Sequence, residues 1–384
     1  RLGRSGRSPV LTLHPADMKR FVMAAALLCA SCAAQRAEDI RLIAPMAFER
    51  TVNGVSTSLY TLRGGDLTMQ VTDYGARITG LWAPDREGRM ADIVIGHATL
   101  DDYLTAPVSR VAGAAVGPVA NRIGRGEYEI DGVKYALERN NNGNTLHSGP
   151  AGFDKVVWSV KEATASSVCF EYRSPDGEFG FPGNRTVEMT YALTPDNELE
   201  IRYRATTDAP TPINMTNHTF FNLGGEGSGD VLGYTLKVGA SRYTPVDGNT
   251  LPTGEIASVE GTPYDFRAAH AIGDRIADAG GYDNNFVIDS ADGETLRTAA
   301  VVHDPVSGRT IEVLTDQPGI QIYTAGAFSG ETVGKYGHRL EKYHAIALET
   351  QKFPDAMHHP AFPSIIVRPD DCYTHVCIYR FSAE

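Results

Sequence analysis

From Arg185 to Ala205 the chain changes polarity at every second residue, and few features restrict a fold more. In RTVEMTYAL, Val187, Met189, Tyr191 and Leu193 fall on one side, and Thr186, Glu188 and Thr190 on the other. ELEIRYRA repeats the pattern with Leu199, Ile201, Tyr203 and Ala205. A period of two belongs to an extended strand, whose successive side chains point to opposite faces. Between the two runs lies TPDN, with Pro195 at the second position of a type I turn, so the pair predicts a β-hairpin.

The same reading predicts strands at 67–71 (LTMQV), 76–82 (ARITGLW), 167–173 (SVCFEYR), 233–238 (GYTLKV), 299–304 (AAVVHD), 309–315 (RTIEVLT), 319–324 (GIQIYT) and 374–381 (THVCIYRF). Only 267–279 has a helix-compatible mixture, and Gly273 weakens it. The 39 glycines and 21 prolines are spread along the chain, so they mark many turns and not a low-complexity tract. Strand after strand with turn signals between them predicts an all-β fold, a large antiparallel β-sandwich. No domain boundary follows residue 40, which leaves 40–384 as one domain long enough to bury a sizeable core.

The N-terminal part reads differently. Met18 opens MKRFVMAAALLCASCAAQ, where Lys19 and Arg20 precede an apolar run from Phe21 to Ala30 and small residues follow. That is the design of a signal peptide over 18–34, cleaved after Ala34, and it predicts a periplasmic or secreted protein. The run is too short for a permanent membrane span. A lipid anchor on Cys32 is the weaker alternative, because Cys29 stands where such signals carry an aliphatic residue. Residues 1–17 precede this start and are read as upstream sequence outside the fold.

Residues 1–34 carry five basic groups and one acid, so the remainder has 35 − 5 = 30 basic against 47 − 1 = 46 acidic groups, a formal charge of −16. Such a surface repels nucleic acid and anionic lipid and gives phosphorylated substrates no long-range attraction, so a neutral small molecule is the easier partner. Three cysteines remain, Cys169, Cys372 and Cys377. An odd number with no CxxC argues against a disulfide framework or a zinc ribbon, and these are read as core thiols.

No P-loop, HExxH, GxSxG or Rossmann fingerprint occurs, and GGEGSG (224–229) precedes no helical pattern. The adjacent His358 and His359 suit a loop better than one metal. Five polar stretches remain: VANRIGRG (119–126), NGNTLHSGPAGFDKVVW (142–158), TNHTFFNLGG (216–225), GGYDNNFVID (280–289) and ALETQKFPD (347–355). Each sets Asn121 and Arg122, His147, His218, Asp283 or Glu349 among apolar residues near a turn or a strand end. Singly, each has a structural reading as well: a solvated strand-end acid at Glu349, a satisfied histidine at His218, a turn acid at Asp283, a surface charge at Arg122.

Together these stretches resemble the aldose 1-epimerase family, the mutarotases that interconvert the anomers of free sugars. ANRI (120–123), TLH with GFDK (145–155), NHTFFNL (217–223), YDNNF (282–286), QIYT (321–324), LETQ with FPD (348–355) and the later PAFPS (360–364) follow the family pattern in order. The resemblance implies a galactose mutarotase-like β-sandwich. It also implies Glu349 as general base, His218 as general acid, and Asn121, Arg122, His147, Asp283 and Gln321 as the sugar-holding set. Three positions depart from it: Pro118 where arginine is frequent, Ser148 where glycine is, and Asn284 where histidine is. None of them is a proton-transfer position.

Mutarotation requires a proton to leave the C1 hydroxyl while another reaches the ring oxygen, work for a paired base and acid with no cofactor or metal. Nearby carboxylates would raise the proton affinity of His218, and Phe286 or Trp158 would cover the sugar's C–H surface. The rival readings are a glycoside hydrolase using Glu349 and Asp283, a metal hydrolase using His147, His218 and Asp283, and a non-catalytic envelope sugar-binding module. An enzyme for sugar phosphates would need a basic cluster, and none is visible beyond Arg122 and Arg125.

Overall fold

Strands Arg185–Leu193 and Glu198–Thr207 form the expected hairpin, antiparallel and in register from Arg185↔Thr207 to Leu193↔Leu199. All eight residues named on its apolar side are buried. Its turn adds one residue to the type I geometry: Asn197 takes φ 60°, and Thr194 N–H donates to the Glu198 carbonyl at 3.0 Å. A type I turn followed by a left-handed residue is a standard three-residue hairpin loop, and asparagine tolerates that conformation.

The computed structural model describes residues 40–106 and 111–384. Leu42–Glu384 form one compact unit. The signal-type segment at 18–34 and the residues before it lie outside the described residues.

The hairpin sits inside a nine-stranded sheet, whose order is Ser159–Ala163, Ser167–Ser174, Arg185–Leu193, Glu198–Thr207, Tyr373–Ala383, Arg309–Thr315, Arg297–His303, Thr235–Val238 and His270–Ala271. A six-stranded sheet faces it: Phe220–Phe221, Ile346–Gln351, Gly319–Tyr323, Asp283–Val287, Arg242–Tyr243 and Ala257–Ser258. Every pairing within these two sheets is antiparallel. One core joins them, with Met189, Ile201 and Val313 from the first and Ile320, Ile322, Ile346 and Leu348 from the second. Polar groups also cross the layer, since the Tyr379 hydroxyl donates to the Leu348 carbonyl at 2.7 Å and Thr350 meets His375 at 2.8 Å. A four-stranded sheet (Leu59–Gly64, Leu67–Thr72, Arg77–Pro84, Met90–Asp92) adds Leu67, Met69, Ile78 and Leu81 to the same core.

Several expectations need correction. The 267–279 stretch holds only a two-residue strand at His270–Ala271, a 3₁₀ turn and a four-residue helix, Ile276–Ala279, closed by Gly280 at φ 71°. Of the three cysteines only Cys377 is buried. Cys372 is exposed and precedes the last strand, and Cys169 is half-buried on the outer face of the hairpin sheet. Phe286 and Trp158 are core residues: Phe286 lies on the face of its strand turned to the nine-stranded sheet, and Trp158 packs on Phe153 and donates to its carbonyl. Among the described residues no helix is long and apolar enough to cross a membrane.

Candidate active site

Strand Ile346–Gln351 is buried along its whole length, so Glu349 is an interior residue and not a strand-end acid. Its period of two explains how an apolar strand can carry a carboxylate. Ile346 and Leu348 face the core between the sheets, and the odd-numbered residues face the other way. Register continues that second face across the neighbouring strands, with Gln321 opposite Glu349, Asn285 opposite Gln321, and Asp283 opposite Tyr323. Glu349, Gln321 and Asp283 therefore share one side of the sheet.

The opposing wall is built from short segments. Thr216–Asn217 pairs with Ala115–Val116, and His218 extends that pairing: its N–H donates to the Ala114 carbonyl at 2.9 Å, and its carbonyl accepts from Gly113 at 2.8 Å. Asn217 donates to the Gly113 carbonyl and to the Tyr191 hydroxyl, which ties His218 to the hairpin sheet. Arg122–Ile123 pairs with Thr145–Leu146, which puts His147 beside Asn121. The His147 N–H donates to the Asn121 carbonyl at 2.8 Å, and its ring Nδ1 accepts from the Asn121 N–H at 3.2 Å. An accepting Nδ1 on a neutral ring assigns the proton to Nε2, a donor for a ligand.

These walls enclose a cleft of about 420 Å³. His218 Nε2 lies 3.5 Å from Glu349 Oε1, both side chains being nearly inaccessible. Arg122 approaches Asp283 at 3.6 Å and donates to Asn141 at 3.2 Å. Asn121, Arg122, His147, His218, Asp283 and Glu349 all line the cleft. Gln321 is the exception: it is buried behind Asp283 and donates to it at 2.6 Å, so it positions that carboxylate instead of lining the cleft.

Sequence reasoning missed Asn140, Asn141, Lys155, Tyr323 and Phe328, which also line the cleft. Phe220 and Tyr323 stand within ring-contact distance of His218, and Phe328 packs on Phe220 at 5.0 Å, so these rings take the place expected for Phe286 and Trp158. Lys155 and Tyr323 lay within the quoted GFDK and QIYT stretches. Asn140 and Asn141 stand just before the quoted 142–158 stretch, and Phe328 gave no signal.

Burial dominates the electrostatics. It pushes Glu349 well above the usual carboxylate range, with the Asp283 charge adding to the rise and Arg122 opposing it. It pushes His218 down to about 4, opposite to the expected rise: desolvation of an imidazolium is the largest cause, a backbone hydrogen bond opposes it, and the Arg77 charge adds to the fall. His147 falls well below its ordinary value through desolvation and the nearby His218, Arg122 and Lys155. Burial thus disfavours the charged form of both members of the unliganded pair. Among the described residues His218 Nδ1 and Glu349 Oε2 have no hydrogen-bond partner. Glu349 pairs with a histidine, while Asp283 is engaged by Gln321 and Arg122. Lys155, a second cation in the cleft, is matched by Asp154 at 2.8 Å. Among the described residues no group of three His, Cys, Asp or Glu side chains is placed to hold a metal ion.

The family model described as aldose 1-epimerase matches residues 58–380. The chain belongs to the aldose 1-epimerase family. It is 40% identical over 331 residues to a galactose mutarotase of Rattus norvegicus, an alignment covering 86% of this chain and 95% of the relative. It is 36% identical over 341 residues to an aldose 1-epimerase of Escherichia coli (strain K12), covering 86% and 97%. The crystal structure of an aldose epimerase homologue from C. elegans superimposes with a TM-score of 0.80 at 31% identity, over 85% of this chain and 99% of that one.

Two departures from the aldose 1-epimerase pattern have a local explanation. Ser148 takes φ 66°, a conformation that glycine adopts without strain. Its hydroxyl accepts from the Val119 N–H at 2.9 Å and donates to the Val119 carbonyl at 3.0 Å, which offsets the strain and clamps the His147 turn to the neighbouring segment. Asn284 is on the face of its strand turned away from Glu349, so the change from histidine does not touch the cleft.

Proposed function

We propose that the protein is an aldose 1-epimerase acting on free aldohexoses such as D-glucose and D-galactose, with Glu349 as general base and His218 as general acid. The observation that carries this reading is the buried pair 3.5 Å apart inside a polar cleft. A sugar's O1 and O5 are bonded to the same carbon, so a base and an acid side by side can reach both at once. Glu349 accepts the C1 hydroxyl proton as the C1–O5 bond breaks, and His218 Nε2 delivers a proton to O5. The product is the open-chain aldehyde, facing a protonated Glu349 and a neutral His218. After rotation about C1–C2, His218 takes the proton back from O5 as that oxygen attacks the other face of C1, and Glu349 returns its proton to O1. Substrate binding favours the charged starting state, since the C1 hydroxyl donates to a carboxylate and O5 accepts from an imidazolium. Asn121, Arg122, His147 and Asp283 are assigned to the sugar hydroxyls, with Gln321 holding Asp283. Polarimetry of freshly dissolved α-D-glucose and α-D-galactose tests the assignment, and a rate no faster than the spontaneous one would end it.

The shared proton sets a pH signature. The competent pair carries one proton in total, and its two apparent titrations belong to the pair as a unit. Adding a second proton follows His218, displaced to about 4, and losing the last one follows Glu349, displaced upward. We expect kcat/KM to fall as the pH drops through about 4, where the second proton binds, and to fall again as the pH rises through the upward-displaced titration of Glu349. An acid limb near the ordinary histidine value of about 6.5 would show that the cleft does not desolvate the pair.

We further propose that the enzyme is exported, on the strength of the 18–34 segment alone. N-terminal sequencing of protein recovered from outside the cytoplasm should begin near Gln35; a mature chain that keeps Met18 and stays inside would refute it.

A further inference from the structure

The connection between the two central strands, residues 324–345, carries Ala327 and Phe328 into the cleft wall. Its first turn is tied to the site directly: the Ala327 N–H donates to the Tyr323 hydroxyl at 2.9 Å, and Phe328 packs on Phe220, which packs on His218. Its second half is a small ladder. Gly330 donates to the Leu340 carbonyl, Leu340 to Thr332, and Gly334 to His338, which leaves Lys335 and Tyr336 at the tip.

That tip is buried. Lys335 Nζ donates to the Thr79 carbonyl at 2.7 Å, to Asp92 Oδ2 at 2.7 Å and to the Val94 carbonyl at 2.8 Å. An ammonium has three N–H donors, so this one is saturated by the four-stranded sheet and the residues that follow it. Glu226 supplies a second carboxylate at 3.5 Å, and the Tyr336 hydroxyl donates to the same Asp92 oxygen at 2.8 Å. Asp92 Oδ1 in turn accepts from the Leu81 and Val94 N–H groups. Gly334 fits closely as well, for a Cβ there would fall 2.1 Å from Glu226 Oε1. No step of sugar isomerisation uses this cluster. Its place in the fold is at the far end of a segment whose near end touches the substrate cleft.

We infer that Lys335 is a positioning residue for sugar binding: its buried ammonium pins the 324–345 connection and so holds Phe328 and Ala327 against Phe220 and Tyr323. The inference rests on the reading of the cleft as a sugar site. Without the pin the wall is free to withdraw, and the first loss is affinity for the bound sugar, not the proton transfers at Glu349 and His218.

The test compares wild type, Tyr336→Phe, Lys335→Met, and Lys335→Met combined with Asp92→Asn and Glu226→Gln. The triple variant removes the charges that a single lysine substitution would strand in the interior, and so keeps the comparison interpretable if the single variant fails to fold. We expect KM for galactose to rise about tenfold or more in the folded lysine variants and about threefold in Tyr336→Phe, with kcat changed by less than about threefold. Galactose affinity measured by calorimetry should fall in parallel. An unchanged KM and affinity in the folded triple variant would overturn the inference, because a merely structural role would then be satisfied by the apolar replacement. Wild-type protein that binds galactose without accelerating its mutarotation would fail the catalytic reading while the calorimetric comparison still decides the role of Lys335. Wild type that does not bind galactose would overturn both.

Discussion

Glu349→Gln is expected to lower kcat for mutarotation by about 10³-fold or more, the scale of losing one member of an acid–base pair. Glutamine keeps the shape and a hydrogen-bonding oxygen but cannot carry the proton between O1 and the cleft. Sugar affinity should change little. Thermal stability should hold or rise, because the buried carboxyl is a desolvated acid whose Oε2 finds no partner among the described residues. Polarimetric rates near those of wild type, in a variant with an unaltered melting temperature, would remove Glu349 from the chemistry. A loss of activity accompanied by unfolding would not test it, so both measurements belong to the experiment.

His218→Asn should be nearly as damaging, about 10²–10³-fold in kcat, by leaving the ring oxygen without a proton donor. Its effect on pH dependence separates it from a packing defect. In wild type the acid limb reflects the second proton taken up by the pair on the His218 side, displaced to about 4. Without the imidazole that limb should vanish from the residual activity and leave only the titration of the carboxyl. His147 is the control. It lies 5.2 Å from His218, ring centre to ring centre, and is itself a neutral donor on the cleft wall, so His147→Asn should raise KM more than it lowers kcat. If His147→Asn abolishes turnover and His218→Asn only weakens binding, the two roles are exchanged.

The hairpin 185–205 was legible in the sequence because one of its faces is buried and the other is partly wet, the condition under which alternation appears. The strands that carry the site do not meet that condition. Ile346–Gln351 is covered on both sides, and Asp283–Val287 in all but its first residue, so Glu349 looked like the end of a strand when it lies on the second face of a central one. One error was avoidable from period two alone: Phe286 is three residues from Asp283, an odd offset, and so must point away from it. The aldose 1-epimerase motifs located six of the seven expected residues at the cleft, and the seventh, Gln321, one layer behind it. What they could not give was the protonation of the pair. That depends on how completely the cleft walls exclude water, a property of Phe220, Tyr323 and the other wall residues acting together. Phe328 and Lys335 were invisible for a related reason, since their significance lies in contacts with residues more than a hundred positions away.

The odd–even arrangement of Ile346–Gln351 leaves the Glu349 carboxylate with no slack along the chain. Deleting a single residue anywhere from Ile346 to Leu348, with the chain before it held in place, would slide the following side chains by half a pleat repeat, turning Glu349 into the hydrocarbon layer and bringing Thr350 to its position at the cleft. Variation in the shape of the cleft therefore has to be accommodated in the connections around it, where length can change, and not in the strand that carries Glu349.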